Sequence, residues 1–368
     1  MANSFPILLM LAPGGASKAE RWVNNAQRAA ALDLVDRLYS LEISTTLFAI
    51  AAAPDDQSEL RRRGVQVASS PSNFHFGRVL TSFASEHGFE HMAYFGGASA
   101  PLLEPETIMQ AMLDVASAQE PYAVVNNLHS SDWAIFNGAA NLHASANSFP
   151  TDNPLGWVLQ QEGGYRVRAL PADAASRVDI DTPSDLLVLS AHPGIGPNLA
   201  RFLQRLPDET RNKVQRIGDV LTAPGSSLGV IGRGSSSVWR ELERRTQIWI
   251  RMFVEERGML ASGRQSRGEV QSLMAMMLEE WGADRFIAGM GQMVDAVLWD
   301  TRVWMAHCGI WPPAGERFAS DLGWYEQIDT PALKALTKAV SGAQKPFLVG
   351  GHGVVAGNVF ALLEAFGL

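Results

Sequence analysis

An α/β fold with a Rossmann-like, mostly parallel sheet is predicted by three observations. Short apolar runs of strand length alternate with helical stretches through the first half of the chain. Small-residue loops follow two of these runs, at 11–18 and 94–106. An acidic segment, Asp179-Ile180-Asp181-Thr182-Pro183-Ser184-Asp185-Leu186, closes the series. Alternation of this kind predicts a sheet covered by helices on both faces.

In order, Ile7–Leu11 reads as a first strand, followed by a Gly loop and a helix over 19–41. Strands are expected at 45–52 and 65–67, then a helix over 76–86 ended by His87-Gly88. A strand at 91–95, a helix over 105–118 and strands at 122–126 and 166–170 complete this half. The turn-rich run His192-Pro193-Gly194-Ile195-Gly196-Pro197 marks a boundary, giving domains 1–195 and 196–368. Beyond it the expectation is a second α/β, helix-rich domain. A helical piece spans 198–221, and strands fall at 228–231, 248–254 and 347–349. Helices are expected at 235–245, 269–281, 286–299 and 354–366.

Composition narrows the function classes. The chain has 368 residues, 46% of them apolar and 18% charged, enough for two domains with sizeable cores. A net charge of -8 argues against a large nucleic-acid footprint. One cysteine, Cys308, excludes an internal disulfide framework and a zinc–cysteine cluster, and fits a reducing cytoplasm. No apolar stretch is long enough to predict a membrane-spanning helix, and the N-terminal run lacks the basic region of a signal peptide.

Chemistry is suggested at several places. In the first loop, Gly14, Gly15 and Ser17 stand between a strand and a helix, where backbone N–H groups can approach a phosphate. Lys18 and Arg21 offer countercharge. A plain strand–helix turn reads equally from these residues. The loop at 96–101 ends a strand at the edge where open α/β sheets place ligands. Asn126, Asn127, His129, Asp132 and Trp133 combine amides, imidazole, carboxylate and indole, which suits a polar acceptor or an Asx-rich turn. Asn73 and His75 open a helix, as base contacts or as a cap. Asp179 and Asp181 share one face of an extended segment, as a pair of oxygen ligands for a divalent cation would; helix capping is the alternative. In the second half, the loops Gly232-Arg233-Gly234-Ser235 and Gly350-Gly351-His352-Gly353 each follow a strand and read as anion cradles or as close-packed turns. The charged stretch Glu255-Glu256-Arg257-Gly258 reads as solvated surface.

The order of these parts, L-A-x-G-G-x-S, then a loop of the D-x-P-L-L-x-P-E kind, then D-I-D-T-P-x-D-L, resembles the MobA-like nucleotidyltransferases of GT-A type. The nearest flavour is the 2-phospholactate guanylyltransferase group, and the resemblance covers residues 5–190. It implies that Gly14, Gly15, Ser17 and Lys18 face the phosphates of a nucleoside triphosphate, GTP or CTP. It implies that Asp181, with Asp179, holds Mg2+, and that Asn73, His75 and Ser99 lie on the nucleotide. One departure stands out: the acid of D-x-P is replaced, the chain reading Ser99-Ala100-Pro101. The expected activity is transfer of a nucleoside monophosphate to a small phosphorylated acceptor, held by Asn126, Asn127, His129 and Asp132, with release of pyrophosphate. Lys18 and Arg21 would serve catalysis. An inactive homologue acting as a ligand-binding or assembly module is the alternative, and a glycosyltransferase is the second. A homodimer is left open.

Overall fold

The computed structural model describes residues 4–368. Among the described residues, eleven strands form two sheets. The first sheet holds β1 (Phe5–Leu11), β2 (Thr45–Ala51), β3 (Gln66–Ser69), β4 (His91–Gly96), β5 (Tyr122–Val125), β6 (Trp133–Asn137) and β7 (Arg166–Ala169). Its order is β3-β2-β1-β4-β6-β5-β7. All neighbours run parallel except at β6, which pairs antiparallel with both β4 and β5. The second sheet holds β8 (Ser227–Gly232), β9 (Trp249–Val254), β10 (Ala296–Asp300) and β11 (Phe347–Gly350). It is wholly parallel in the order β11-β10-β8-β9.

The chain divides into two units that interleave in sequence. One takes the chain up to Gly14, Gln27–Asp179 and Gly196–Leu199; the other takes Gly15–Ala26, Ile180–Ile195 and Ala200–Leu368. In the first, alternate residues of β1 serve opposite faces, as the two-residue period of a strand requires. Ile7 and Leu9 pack with Val35 and Leu38 of the helix Lys18–Tyr39, and with Ile108 and Met112 of the helix Pro105–Ser117. Leu8 and Met10 face Phe76 and Leu80 of the helix Phe76–His87. That helix ends at Gly88 in the left-handed conformation, φ 64°, as such a helix end favours. In the second unit, Ile231, Val297 and Trp299 of the sheet pack with Phe286, Leu333 and Leu336. Each such side chain contributes about 1.5–3 kcal/mol on burial. Among the described residues no helix is long and apolar enough to cross a membrane.

The α/β class and the mostly parallel sheet agree with expectation. Four differences have physical causes. The helix expected over 286–299 ends at Met293, and 296–300 forms the buried strand β10. A continuous apolar run does not distinguish a buried strand from a buried helix. Strand β6 was not anticipated: no element was expected directly after the polar segment that ends at Trp133. The helix expected over 198–221 is two helices, Pro197–Leu203 and Asp208–Thr222, broken before Pro207. The acids Asp179 and Asp181 stand on an extended segment that joins neither sheet, because the short helix Ala174–Arg177 intervenes after β7.

Candidate functional site

The carboxyl edge of the first sheet is built by the ends of β1, β4 and β5 and the beginning of antiparallel β6. After β4, Gly97 donates to the Met10 carbonyl at 2.8 Å. A Cβ on Gly97 would stand 2.7 Å from Leu11 Cγ, so only glycine lets this loop lie against the end of β1. Arg37 donates to the carbonyls of Ala100 (2.9 Å) and Pro101 (3.2 Å) and so fixes the loop. Ser99 is buried and its hydroxyl donates to the Gly96 carbonyl at 2.7 Å. It is therefore spent on its own turn.

Asn126, just past β5, organises the next part. Its Nδ2 donates to Asp132 Oδ2 (2.6 Å) and to the Ser176 carbonyl (3.3 Å). Its Oδ1 accepts from the backbone N–H groups of Asp132 (2.9 Å) and Trp133 (3.4 Å). Arg177 belongs to the same cluster. Burial lowers its pKa, while the carboxylates of Asp173 and Asp132 favour its charge. Its Nη1 is buried with no hydrogen-bond partner among the described residues. Nearby, the Tyr94 hydroxyl donates to Asp152 Oδ2 at 2.8 Å. Burial raises both pKa values, the Asp152 charge pushing the tyrosine further. Sequence reasoning missed Arg177, which stood two residues before Asp179, and Asp152, which carries no motif; Tyr94 opened the 94–106 segment but was given no role.

The remaining predicted residues fall as follows. Asn127 Oδ1 accepts from the His129 N–H at 3.3 Å in an Asx turn, with the His129 ring exposed. Trp133 offers no stacking face for a ligand: it is buried against Phe95, with ring centroids 5.6 Å apart. His75 caps the helix Phe76–His87, its Nδ1 accepting from Arg78 N at 3.4 Å; Asn73 is exposed.

Gly15, Ser17, Lys18 and Arg21 belong to the second unit, and Gly14 to the first. Ser17 and Glu20 form a capping box at the start of the helix Lys18–Tyr39. Ser17 N donates to Glu20 Oε2 at 2.9 Å, and Glu20 N to Ser17 Oγ at 3.1 Å. Thus the position an anion would take at Ser17 N holds the chain's own carboxylate. These bonds lower the Glu20 pKa. A Cβ on Gly15 would run into Glu20. The Lys18 ammonium lies 4.9 Å from the centre of the Trp324 ring, and Arg21 donates to the Ala16 carbonyl.

Along the acidic segment, buried Val178 and Ile180 alternate with half-buried Asp179 and exposed Asp181. Asp185 is the capping acid of the helix Pro183–Leu189. Its Oδ2 accepts from Asp181 N (3.1 Å), Thr182 N (2.6 Å) and Thr182 Oγ1 (2.9 Å), and its Oδ1 from Asn358 Nδ2 (2.8 Å). Burial, and then the Asp181 charge, push its pKa up to about 7. The glycines at 350 and 353 admit this helix start: a Cβ would strike Ser184 at the first and Asp185 at the second. Cys308 is pushed up to about 12 by burial and by Glu279, an unreactive thiol.

No group of three or more His, Cys, Asp or Glu residues is placed to hold a metal ion, among the described residues. Magnesium is commonly held by one or two carboxylates together with substrate phosphates. Asp179 belongs to the first unit and Asp181 to the second. A cavity of about 640 Å³ in the first unit lies at the opposite, amino edge, lined by Gly88, His91, Pro121 and Asn137.

Fold and edge together define an α/β protein with an open, mostly parallel sheet and a polar cluster at its carboxyl edge. Among solved structures, the chain is similar to a cytidylyltransferase from Leptospira borgpetersenii serovar Hardjo-bovis. Identity is 14%, covering 57% of this chain and 98% of that one, with a TM-score of 0.41. It is also similar to CMP:2-keto-3-deoxy-manno-octonic acid synthetase complexed with CTP. There identity is 11%, covering 55% and 100% of the two chains, with a TM-score of 0.38. No protein-family model matches the chain, and no curated protein does.

Proposed function

We propose that the first 195 residues transfer a nucleoside monophosphate from a triphosphate, CTP or GTP, to a small phosphorylated acceptor. The observation that carries the reading is the Asn126–Asp132–Arg177 cluster. It sets an amide, a carboxylate and a guanidinium side by side at the carboxyl edge of an open α/β sheet, where such folds bind ligands. In this reading Asn126 orients Asp132, and Asp132 with Asn127 and His129 positions the acceptor. Arg177 offers charge to phosphate oxygens. Lys18 and Arg21 supply countercharge, and Asp179 and Asp181 hold magnesium brought with the nucleotide. An acceptor oxygen attacks the α-phosphorus and pyrophosphate leaves, so the protein's contribution is positioning and charge stabilisation. A cytoplasmic location belongs to the same reading.

One observation favours a second reading, ligand binding without turnover. Ser99 replaces the expected acid, and its hydroxyl is committed to Gly96. Titration calorimetry with CTP and GTP, with and without magnesium, tests both. Magnesium-dependent binding that is lost in Asp181→Ala, followed by pyrophosphate release with phospho-acids, supports transfer. Binding without pyrophosphate release supports the second reading. Absence of nucleotide binding removes both.

A further inference from the structure

The second sheet has its own ligand-binding topology. From β8 the chain goes to β9 on one side, then crosses to β10 on the other side of β8. Adjacent strands whose connections leave in opposite directions open a crevice at their carboxyl ends, and ligands of α/β folds bind there. Here those ends are Gly232 on β8 and Asp300 on β10. They approach closely: Gly232 has φ 118°, and a Cβ on it would lie 2.6 Å from Asp300 Cβ.

Arg233 follows at once and is 9% exposed. Its Nε donates to Asp300 Oδ2 at 2.5 Å and its Nη2 to Asp300 Oδ1 at 3.2 Å. Asp300 is wholly buried. A buried ion pair is weak as a stabilising device, because desolvation offsets its attraction. The pair does, however, hold a guanidinium rigidly at the crevice. From beyond β11, His352 joins it, its ring hydrogen-bonded to the Arg233 backbone. Close packing, and then the Arg233 charge, hold the His352 pKa below the ordinary histidine value; Arg257 adds to this, against Asp300. Arg233 is thus paired with the buried carboxylate, and His352 feels the charges of Arg233, Asp300 and Arg257.

Asp300 offsets the charge of Arg233, but the acids at 255 and 256 are engaged elsewhere. Glu255 accepts from Ser272 Oγ (2.6 Å) and Leu273 N (2.8 Å), and so caps the helix Leu273–Trp281. Glu256 is paired with Arg264 at 2.7 Å. The ten-residue helix Ser236–Arg245 also starts at the crevice, N-capped by Ser235. Its positive end adds to the same field.

We propose that this crevice binds a small phosphate-bearing anion, held by Arg233, Arg257 and His352 at the carboxyl ends of β8 and β10. The site lies within the second unit and stands whether or not the chain transfers nucleotides. Arg233 gives a fixed guanidinium whose Nη1 is not spent on Asp300, Arg257 adds charge, and His352 takes up a proton as the anion arrives.

The test is histidine-resolved NMR on the full chain, with inorganic phosphate and pyrophosphate as probes and chloride at matched ionic strength as the control. Calorimetry supplies the affinities. Phosphate or pyrophosphate at millimolar concentration is expected to move the His352 ring signals and raise its pKa, and chloride is not. Arg257→Gln and His352→Gln replace exposed side chains and leave the fold intact; each is expected to weaken binding tenfold or more. His352 signals that stay unmoved by both probes overturn the proposal. So does binding within twofold of the wild type in both variants.

Discussion

Replacing Arg302 with methionine is the sharpest test of how the second unit carries its buried charges. Arg302 donates to Asp321 through Nη1 at 2.9 Å and Nη2 at 2.6 Å, and its Nη1 also reaches Thr301 Oγ1 at 3.1 Å. Arg302 is 4% exposed and Asp321 is 3% exposed. Methionine keeps much of the packing volume and removes every donor, so Asp321 is left buried without its hydrogen-bonded partner. Breaking a buried pair from one side costs about 3–5 kcal/mol. In a unit of this size 1 kcal/mol lowers Tm by about 2–4 °C, so the expected fall is roughly 6–20 °C. The loss depends on pH in a defined sense. Burial already raises the Asp321 pKa, with Arg302 opposing. Without Arg302 that pKa rises further, and the variant loses stability as pH climbs above the unfolded carboxylate value of about 3.9. The gap between wild type and variant should therefore be smallest near pH 4 and widen towards neutrality. Urea denaturation followed by tryptophan fluorescence measures it. The double variant Arg302→Met, Asp321→Leu should recover most of the loss. A cost below about 1 kcal/mol, or a double variant no better than the single, would refute the reasoning.

Four further outcomes are expected. Asp185 has a folded pKa raised to about 7, so wild type should lose stability relative to Asp185→Asn as pH rises from about 4 to about 7; a difference flat across that window counts against it. Asn126→Ala removes four hydrogen bonds from a buried site and should cost roughly 2–4 kcal/mol in chemical denaturation, with any acceptor binding lost. Gly232→Ala imposes a strained φ beside Asp300 and should cost about 1–3 kcal/mol. Ser17→Ala dismantles the capping box; a loss of about 0.5–2 kcal/mol is expected.

Local pattern made most of the first sheet legible. β1, β2, β4 and β5 are short apolar runs punctuated by Gly, Pro and Asn, and their period is read without knowledge of partners. β10 was not legible, because Ala296-Val297-Leu298-Trp299 is apolar throughout and continues a helical pattern. The capping box was present as Ser17-Lys18-Ala19-Glu20, yet the glycines before it drew attention to phosphate instead. Asn126 and Asp132 were legible together since six residues separate them. Arg233 with Asp300, and Asp185 with Asn358, are joined only by the fold, across 67 and 173 residues. No local spacing encodes a pair of that kind.

The interleaving of the two units sets the order in which the chain can finish folding on the ribosome. Asp33 lies in the first unit and is 6% exposed. Its acceptors are satisfied by Asn198 N, Asn198 Nδ2 and Leu199 N, each at 2.8 Å. Translation that has reached only Ile195 leaves that carboxylate without these donors. Likewise Ala19 is emitted early but belongs to the core of Ile231, Phe286 and Trp299, and Asp185 waits for Asn358, ten residues from the end of this sequence. Domains usually fold as they emerge; here the Ala19 end of the helix Lys18–Tyr39 and the acidic segment wait for residues as far along as Trp299 and Asn358. A stop codon near residue 195 would thus yield a fragment in which Asp33 and Asp185 lack donors that the full chain gives them.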